Sequence, residues 1–163
     1  MSLKCLVVLI LAMAIFNGCR REVPDPSRTP GRHYEHHPPH QGTPVALGDE
    51  EYHVEFVLHP ASGQLQAFVM DGEWENFIRI KIDAFEVAVR LPEGGQDILR
   101  FRALASNATG ETVGDTSAFE AQAEWLRTNT AFDASIKQIV VREKAYTNVQ
   151  FNFPKGNEAH GKN

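Results

Sequence analysis

Alternation of apolar and polar residues dominates the chain from about residue 45 onward. In the run YHVEFVLH at 52–59, the face formed by Tyr52, Val54, Phe56 and Leu58 is apolar. The residues between them include His53, Glu55 and His59. Period two is typical of a β-strand with one buried face, so the set containing His53 and Glu55 is expected to face solvent.

Turn signals divide this region into further short strands. The sequence Pro-Ala-Ser-Gly at 60–63 separates 52–59 from a second apolar run, which predicts a β-hairpin over 52–70. A polar loop is expected at 105–117. Other extended stretches are predicted at 77–83, 85–91, 98–103, 136–141 and 149–153. The pattern predicts an all-β fold, an antiparallel β-sandwich or barrel-like domain of about seven to eight short strands.

Residues 119–126 fit two patterns. Phe119, Ala121, Ala123 and Trp125 alternate as in a strand, whereas the alanines together with Glu124 and Leu126 suit a helix. We expect a strand or a short turn of helix here.

The first residues differ from the rest. Lys4 precedes an uninterrupted apolar run at 6–16, which has signal-peptide length and is too short for a bilayer span of roughly 20 residues. The run ends in Asn17-Gly18-Cys19, which resembles the lipobox of bacterial lipoproteins, although Phe16 and Asn17 depart from its commonest residues. The resemblance implies a signal peptide at 1–18, acylation of Cys19 and attachment to a membrane of the cell envelope.

Cysteine usage fits lipidation. Cys5 lies in the segment that would be removed, so Cys19 would be the only cysteine of the mature chain and no internal disulfide could form. Acylation would also mask a free thiol in an oxidising compartment. The alternative is an ordinary signal peptide that is cut near a cysteine by coincidence.

Six of the nine prolines lie in residues 19–44, which contain almost no aliphatic side chains. This composition predicts a disordered Pro/His-rich tether, followed by a β-rich domain at 45–154 and a disordered tail at 155–163. The net charge of −5 gives no electrostatic reason to expect nucleic acid. No constellation of nucleophile, base and oxyanion donors has recognisable spacing, so an enzyme is not expected.

The tether contains four of the seven histidines, at His33, His36, His37 and His40. Neutral imidazole binds copper, zinc and nickel, and spacings of three and four residues allow several rings to meet one ion. The alternative is a solvated linker that is rich in histidine by chance.

Two further histidines lie on the first strand. His53 and Glu55 could contribute to one metal site, but His59 is about 20 Å from His53 along a strand. The alternative for both histidines is an exposed strand face.

The run HPPHQGTP at 37–44, followed by His53-Val54-Glu55, resembles a His-Gly-Gly β-domain found in some periplasmic adaptor subunits of heavy-metal efflux pumps and in small lipoproteins. The resemblance covers roughly residues 36–91 and implies contact with metal ions through His40 and His53. The sequence departs from that pattern at Gln41 and at Glu73. We therefore expect a lipid-anchored envelope protein that handles transition-metal ions. The alternative is a non-catalytic module that docks to an efflux-type or other envelope protein.

Overall fold

The structure is a computed structural model that describes residues 37–157, which lie within one compact unit. Its strands form a single antiparallel sheet in the order β1-β2-β3-β6-β5-β4-β7-β8. Their bounds are β1 Thr43–Leu47, β2 Tyr52–His59, β3 Gln64–Asp71, β4 Ala84–Arg90, β5 Gln96–Ala103, β6 Ala118–Gln122, β7 Phe132–Val141 and β8 Lys144–Phe153. The all-β prediction is confirmed, and of its two alternatives the barrel-like one is found.

Asn157 nearly closes the barrel by joining the segment after β8 to the edge strand β1. Its side-chain oxygen accepts a hydrogen bond from the Ala46 amide at 2.7 Å, and its side-chain nitrogen donates to the Ala46 carbonyl at 3.1 Å. Gly156 passes so close to β1 that a Cβ there would lie 2.0 Å from the Pro44 carbonyl oxygen. An amide side chain thus replaces the main-chain partner that an edge strand lacks.

Stacked aromatic rings fill the interior of the barrel. The ring centroid of Phe56 lies 4.8 Å from that of Phe151 and 5.4 Å from that of Phe101. The Phe101 ring in turn stacks on Phe85, with centroids 4.9 Å apart. The alternating inward residues of each strand supply these rings and the aliphatic side chains around them. Burial of this apolar surface is the main favourable contribution to folding.

The prediction of a strand at 77–83 is wrong. This segment has only isolated bridges, between Met70 and Phe77 and between Ile80 and Thr116. It connects β3 to β4, which are separated in the sheet by β6 and β5. Its own Ile78 and Ile80 are buried in the core, which explains the apolar alternation without a ladder.

Residues 119–126 satisfy both predicted patterns in succession. β6 ends at Gln122 and is followed by a 3-10 helical turn, Glu124–Arg127, that buries Leu126. β7 and β8 are longer than predicted because they form one continuous hairpin. β1 begins at Thr43, two residues before the predicted start of the β-rich domain.

Candidate functional site

Residues 37–42, which we call the strap, lie against the outer face of β2. The strap turns through a hydrogen bond from the Gln41 amide to the Pro38 carbonyl at 3.0 Å, with Gln41 at a φ of 57°. A Cβ on Gly42 would lie 2.6 Å from the Phe56 carbonyl oxygen and 2.7 Å from Cγ of Glu55. Only glycine permits this approach, so Gly42 fixes the place where the strap meets the strand.

Glu55 is the buried anchor of the strap. Its side chain is 0% exposed, although the sequence pattern predicts that it faces solvent. Its Oε1 accepts hydrogen bonds from the amides of His40 at 2.9 Å and Gly42 at 2.7 Å. Its Oε2 accepts one from Nδ1 of the His40 ring at 2.8 Å. A carboxylate can be buried at this depth because both oxygens have donors.

The His40 ring is held in one orientation. It stacks on Phe68 of β3 with ring centroids 4.2 Å apart, and the Phe77 ring lies 5.8 Å away. Because Nδ1 donates to Glu55, Nε2 is the nitrogen left for other partners, and it bonds to no described residue. The side chain remains 39% exposed, so a ligand from solvent can reach it.

His53 is also buried, at 3% exposure, which corrects the expectation that it faces solvent. Its ring stacks on Trp74 at 4.3 Å, and its Nδ1 donates to the Asp71 carbonyl at 3.2 Å. Trp74 reaches this position from a turn in which its own φ is 59°.

Asp71 organises the turn that carries Trp74. Its carboxylate accepts hydrogen bonds from the Glu75 amide at 2.9 Å and from the Asn76 side chain at 2.7 Å. Partial burial acts to raise the pKa of Asp71, but the hydrogen bonds from Asn76 and Glu75 together hold it below its ordinary value. The hydrogen bonds of Asp71 therefore order the turn that places Trp74 over His53.

The predicted site residues divide into four groups. His40 and Glu55 are in direct contact, whereas His53 has its own partners in Trp74 and Asp71. His37 is exposed at the start of the strap. Cys19, His33 and His36 lie outside the described residues. Within 37–157, no three His, Cys, Asp or Glu side chains are grouped closely enough to hold a metal ion.

His59 does not belong to this site. It lies at the far end of β2 and donates from Nε2 to the Gln66 side chain at 3.0 Å. This agrees with the expectation that it cannot share an ion with His53.

The aromatic rings that cover β2 and β3 were not predicted from the sequence. Phe68 and Met70 lie on the outer face of β3, opposite Glu55 and His53 in the register, while Leu65, Ala67 and Val69 face the core. The signal was present, because the consecutive apolar residues at 67–70 indicate a strand that is buried on both faces. Trp74, in the turn after β3, stacks on His53.

Comparison with known proteins gives no relative: no family model, no curated protein and no solved structure matches this chain. Within the described residues, no helix has the length and apolar character needed to cross a bilayer.

Proposed function

We propose that this chain is an exported, lipid-anchored protein of the cell envelope that binds a transition-metal ion at the strap, with His40 as the oriented ligand. Copper, zinc and nickel are the ions that imidazole suits. The remaining ligands would come from His33, His36 and His37. Acylated Cys19 would hold the barrel at the membrane, so the metal site would lie where the tether joins the folded domain.

The observation that carries this proposal is the hydrogen bond from His40 Nδ1 to the buried Glu55 carboxylate. Metal-binding histidines commonly donate their second ring nitrogen to a carboxylate, which fixes the tautomer and raises the basicity of the ligating nitrogen. Here this bond leaves Nε2 as the ligating nitrogen, on a ring that Phe68 also restrains. Such a ring loses little conformational entropy when it binds an ion.

Glu55 has a different role in this proposal from the one expected from sequence. Both of its oxygens already accept hydrogen bonds within the strap. Glu55 is therefore a positioning residue behind His40, and the ligating atoms are histidine nitrogens.

The test is calorimetric titration of the full chain, reconstituted in phosphatidylcholine nanodiscs, with Cu(II), Zn(II) and Ni(II). We expect saturable binding by at least one ion. His40→Ala should weaken it by at least tenfold, and Glu55→Gln by about 10- to 100-fold, because removing the carboxylate that accepts a hydrogen bond from a ligating histidine commonly has that effect. The matched control is His59→Ala, which removes a histidine that lies on β2 with Glu55 but outside the site.

Circular dichroism of each variant would separate loss of the site from loss of the fold. Equal affinity of the wild-type chain and the folded His40→Ala variant would contradict the proposal. So would an equal loss in the His59→Ala control.

A further inference from the structure

A seam opens in the barrel between β4 and β7. Their ladder ends at the pair Glu86 and Gln138, next to a β-bulge at Glu86 and Val87. β7 continues beyond this point, paired only with β8, as far as Val141. Residues 79–82, which precede β4, diverge from β7 here, and a cavity of about 520 Å³ lies between them and the end of β7.

The cavity combines an apolar floor with a cationic rim. Its lining residues are Ile80, Ile82 and Val140, the basic residues Arg79, Lys81 and Arg142, and one acid, Glu143. Its volume is within the range of roughly 300–1,000 Å³ that is typical of small-molecule sites, which are mostly apolar with a few polar groups.

Within residues 37–157, two of the three cations have no acidic partner. Arg79 is engaged by Glu111 at 3.9 Å and Asp115 at 3.7 Å, and it also donates to the Thr109 carbonyl. Neither Lys81 nor Arg142 has a carboxylate within ion-pair distance among the described residues; Arg142 lies over the Tyr52 ring at 5.9 Å. On a chain with a net charge of −5, this is a local reversal of sign.

The turn that carries Arg142 has a backbone conformation that its residues disfavour. Arg142 and Glu143 form the two-residue connection between β7 and β8, and their φ values are 46° and 70°. Both lie in the left-handed region, where a two-residue hairpin loop favours Asn-Gly. The chain has two long side chains where the backbone favours small residues, and strained residues of this kind cluster at functional sites.

We propose that the cavity binds an amphipathic anion, a phosphate or carboxylate group on a short aliphatic chain. The aliphatic part packs on Ile82 and Val140. The anionic group lies between Lys81 and Arg142, where charge-assisted hydrogen bonds from an ammonium and a guanidinium hold it. This site is separate from the strap and does not depend on metal binding.

The test is calorimetric titration of the full chain in phosphatidylcholine nanodiscs, with empty nanodiscs as the blank. The probes are hexyl phosphate, inorganic phosphate, which lacks the aliphatic chain, and hexanol, which lacks the charge. We expect hexyl phosphate to bind saturably and the other two to bind at least tenfold more weakly.

Two variants test the residues. Lys81→Ala should weaken hexyl phosphate binding at least tenfold. The double variant Arg142→Asn with Glu143→Gly should weaken it by a similar factor while raising the melting temperature, because the turn then has its favoured residues. A folding defect cannot produce that combination. The matched control is Lys137→Ala. It removes a cation of β7 that is paired with Glu86 of β4, and it should change the affinity for hexyl phosphate less than twofold.

Binding of hexanol as tight as that of hexyl phosphate would overturn the proposal, as would unchanged binding in Lys81→Ala and in the turn variant. Nanodiscs that contain phosphatidylglycerol separate the two sources of such an anion. Lys81-dependent competition with hexyl phosphate assigns the site to a membrane lipid, and its absence assigns the site to a soluble amphiphile. Either result retains the anion site.

Discussion

Glu111 shows how a single carboxylate orders the polar loop at 105–117. Its Oε1 accepts hydrogen bonds from the amide and hydroxyl of Ser117 at 2.8 and 2.6 Å, and its Oε2 accepts one from the Thr109 hydroxyl at 2.6 Å. Burial acts to raise the pKa of Glu111, but these hydrogen bonds and the nearby Arg79 guanidinium together hold it below its ordinary value. The loop's backbone is thereby fixed next to β6.

A pH dependence of stability follows from that lowered pKa. Because the folded state favours the ionised carboxylate, its contribution is fully present above the unfolded pKa of about 4.3 and is lost as pH falls through the lower folded pKa. Glu111→Gln should reduce the free energy of unfolding by about 1.5–3 kcal/mol at pH 7, the usual range for hydrogen bonds to a charged group.

Urea denaturation at pH 7 and near pH 3 measures this difference. The difference in the free energy of unfolding between wild type and Glu111→Gln should be smaller at the lower pH. The control is Glu93→Gln, which changes an exposed glutamate in the turn after β4. This substitution should leave the free energy of unfolding unchanged at both pH values. If this difference were the same at both pH values, it would contradict the stabilising role of the ionised Glu111 carboxylate.

At the scale of elements, β2 is the strand on which the structure depends most. Its inner face contributes Val54 and Phe56 to the core, and its outer face carries His53 and Glu55 under the strap and the Trp74 turn. A strand covered on both faces has a rigid backbone, which is what a positioned ligand requires.

The edges of the sheet depend on a smaller contact, the amide of Asn157 on Ala46 of β1. Asn157→Ala should lower the free energy of unfolding by about 1–3 kcal/mol, because it removes two hydrogen bonds and leaves an edge amide without its partner. Thermal and urea denaturation measure the loss. Amide hydrogen exchange should accelerate at Ala46 in particular.

The matched control for this prediction is Asn107→Ala. Asn107 is exposed, and its side chain makes no hydrogen bond to a described residue, so we expect a change within about 0.5 kcal/mol. Equal stability of the Asn157→Ala and Asn107→Ala variants would show that the contact with Ala46 does not close the barrel.

At the scale of the whole molecule, the proposed function joins a membrane anchor, a histidine-rich tether and a barrel. The barrel offers two separate surfaces, the strap on β2 and the seam between β4 and β7.

The anchor is tested by Cys19→Ser. We expect the wild-type chain to be processed and recovered in the membrane fraction, because several acyl chains on one residue give stable attachment. The variant should remain unprocessed at this site and should not incorporate labelled palmitate. Fractionation and mass spectrometry of the N-terminus measure both effects. Identical processing and labelling of the two chains would contradict lipidation of Cys19.

The sequence by itself determined the all-β class and most of the strands of this protein, because period-two alternation is a local property that each strand carries within its own residues. The hairpin at 52–70 and the strands β4 and β5 were predictable for that reason. The burial of His53 and Glu55 was not, because Trp74 and the strap that cover them come from segments outside β2. The extra hydrogen bonds of Asn157 and the seam beside Gln138 were likewise decided only by the tertiary structure, since both depend on how far neighbouring strands stay paired.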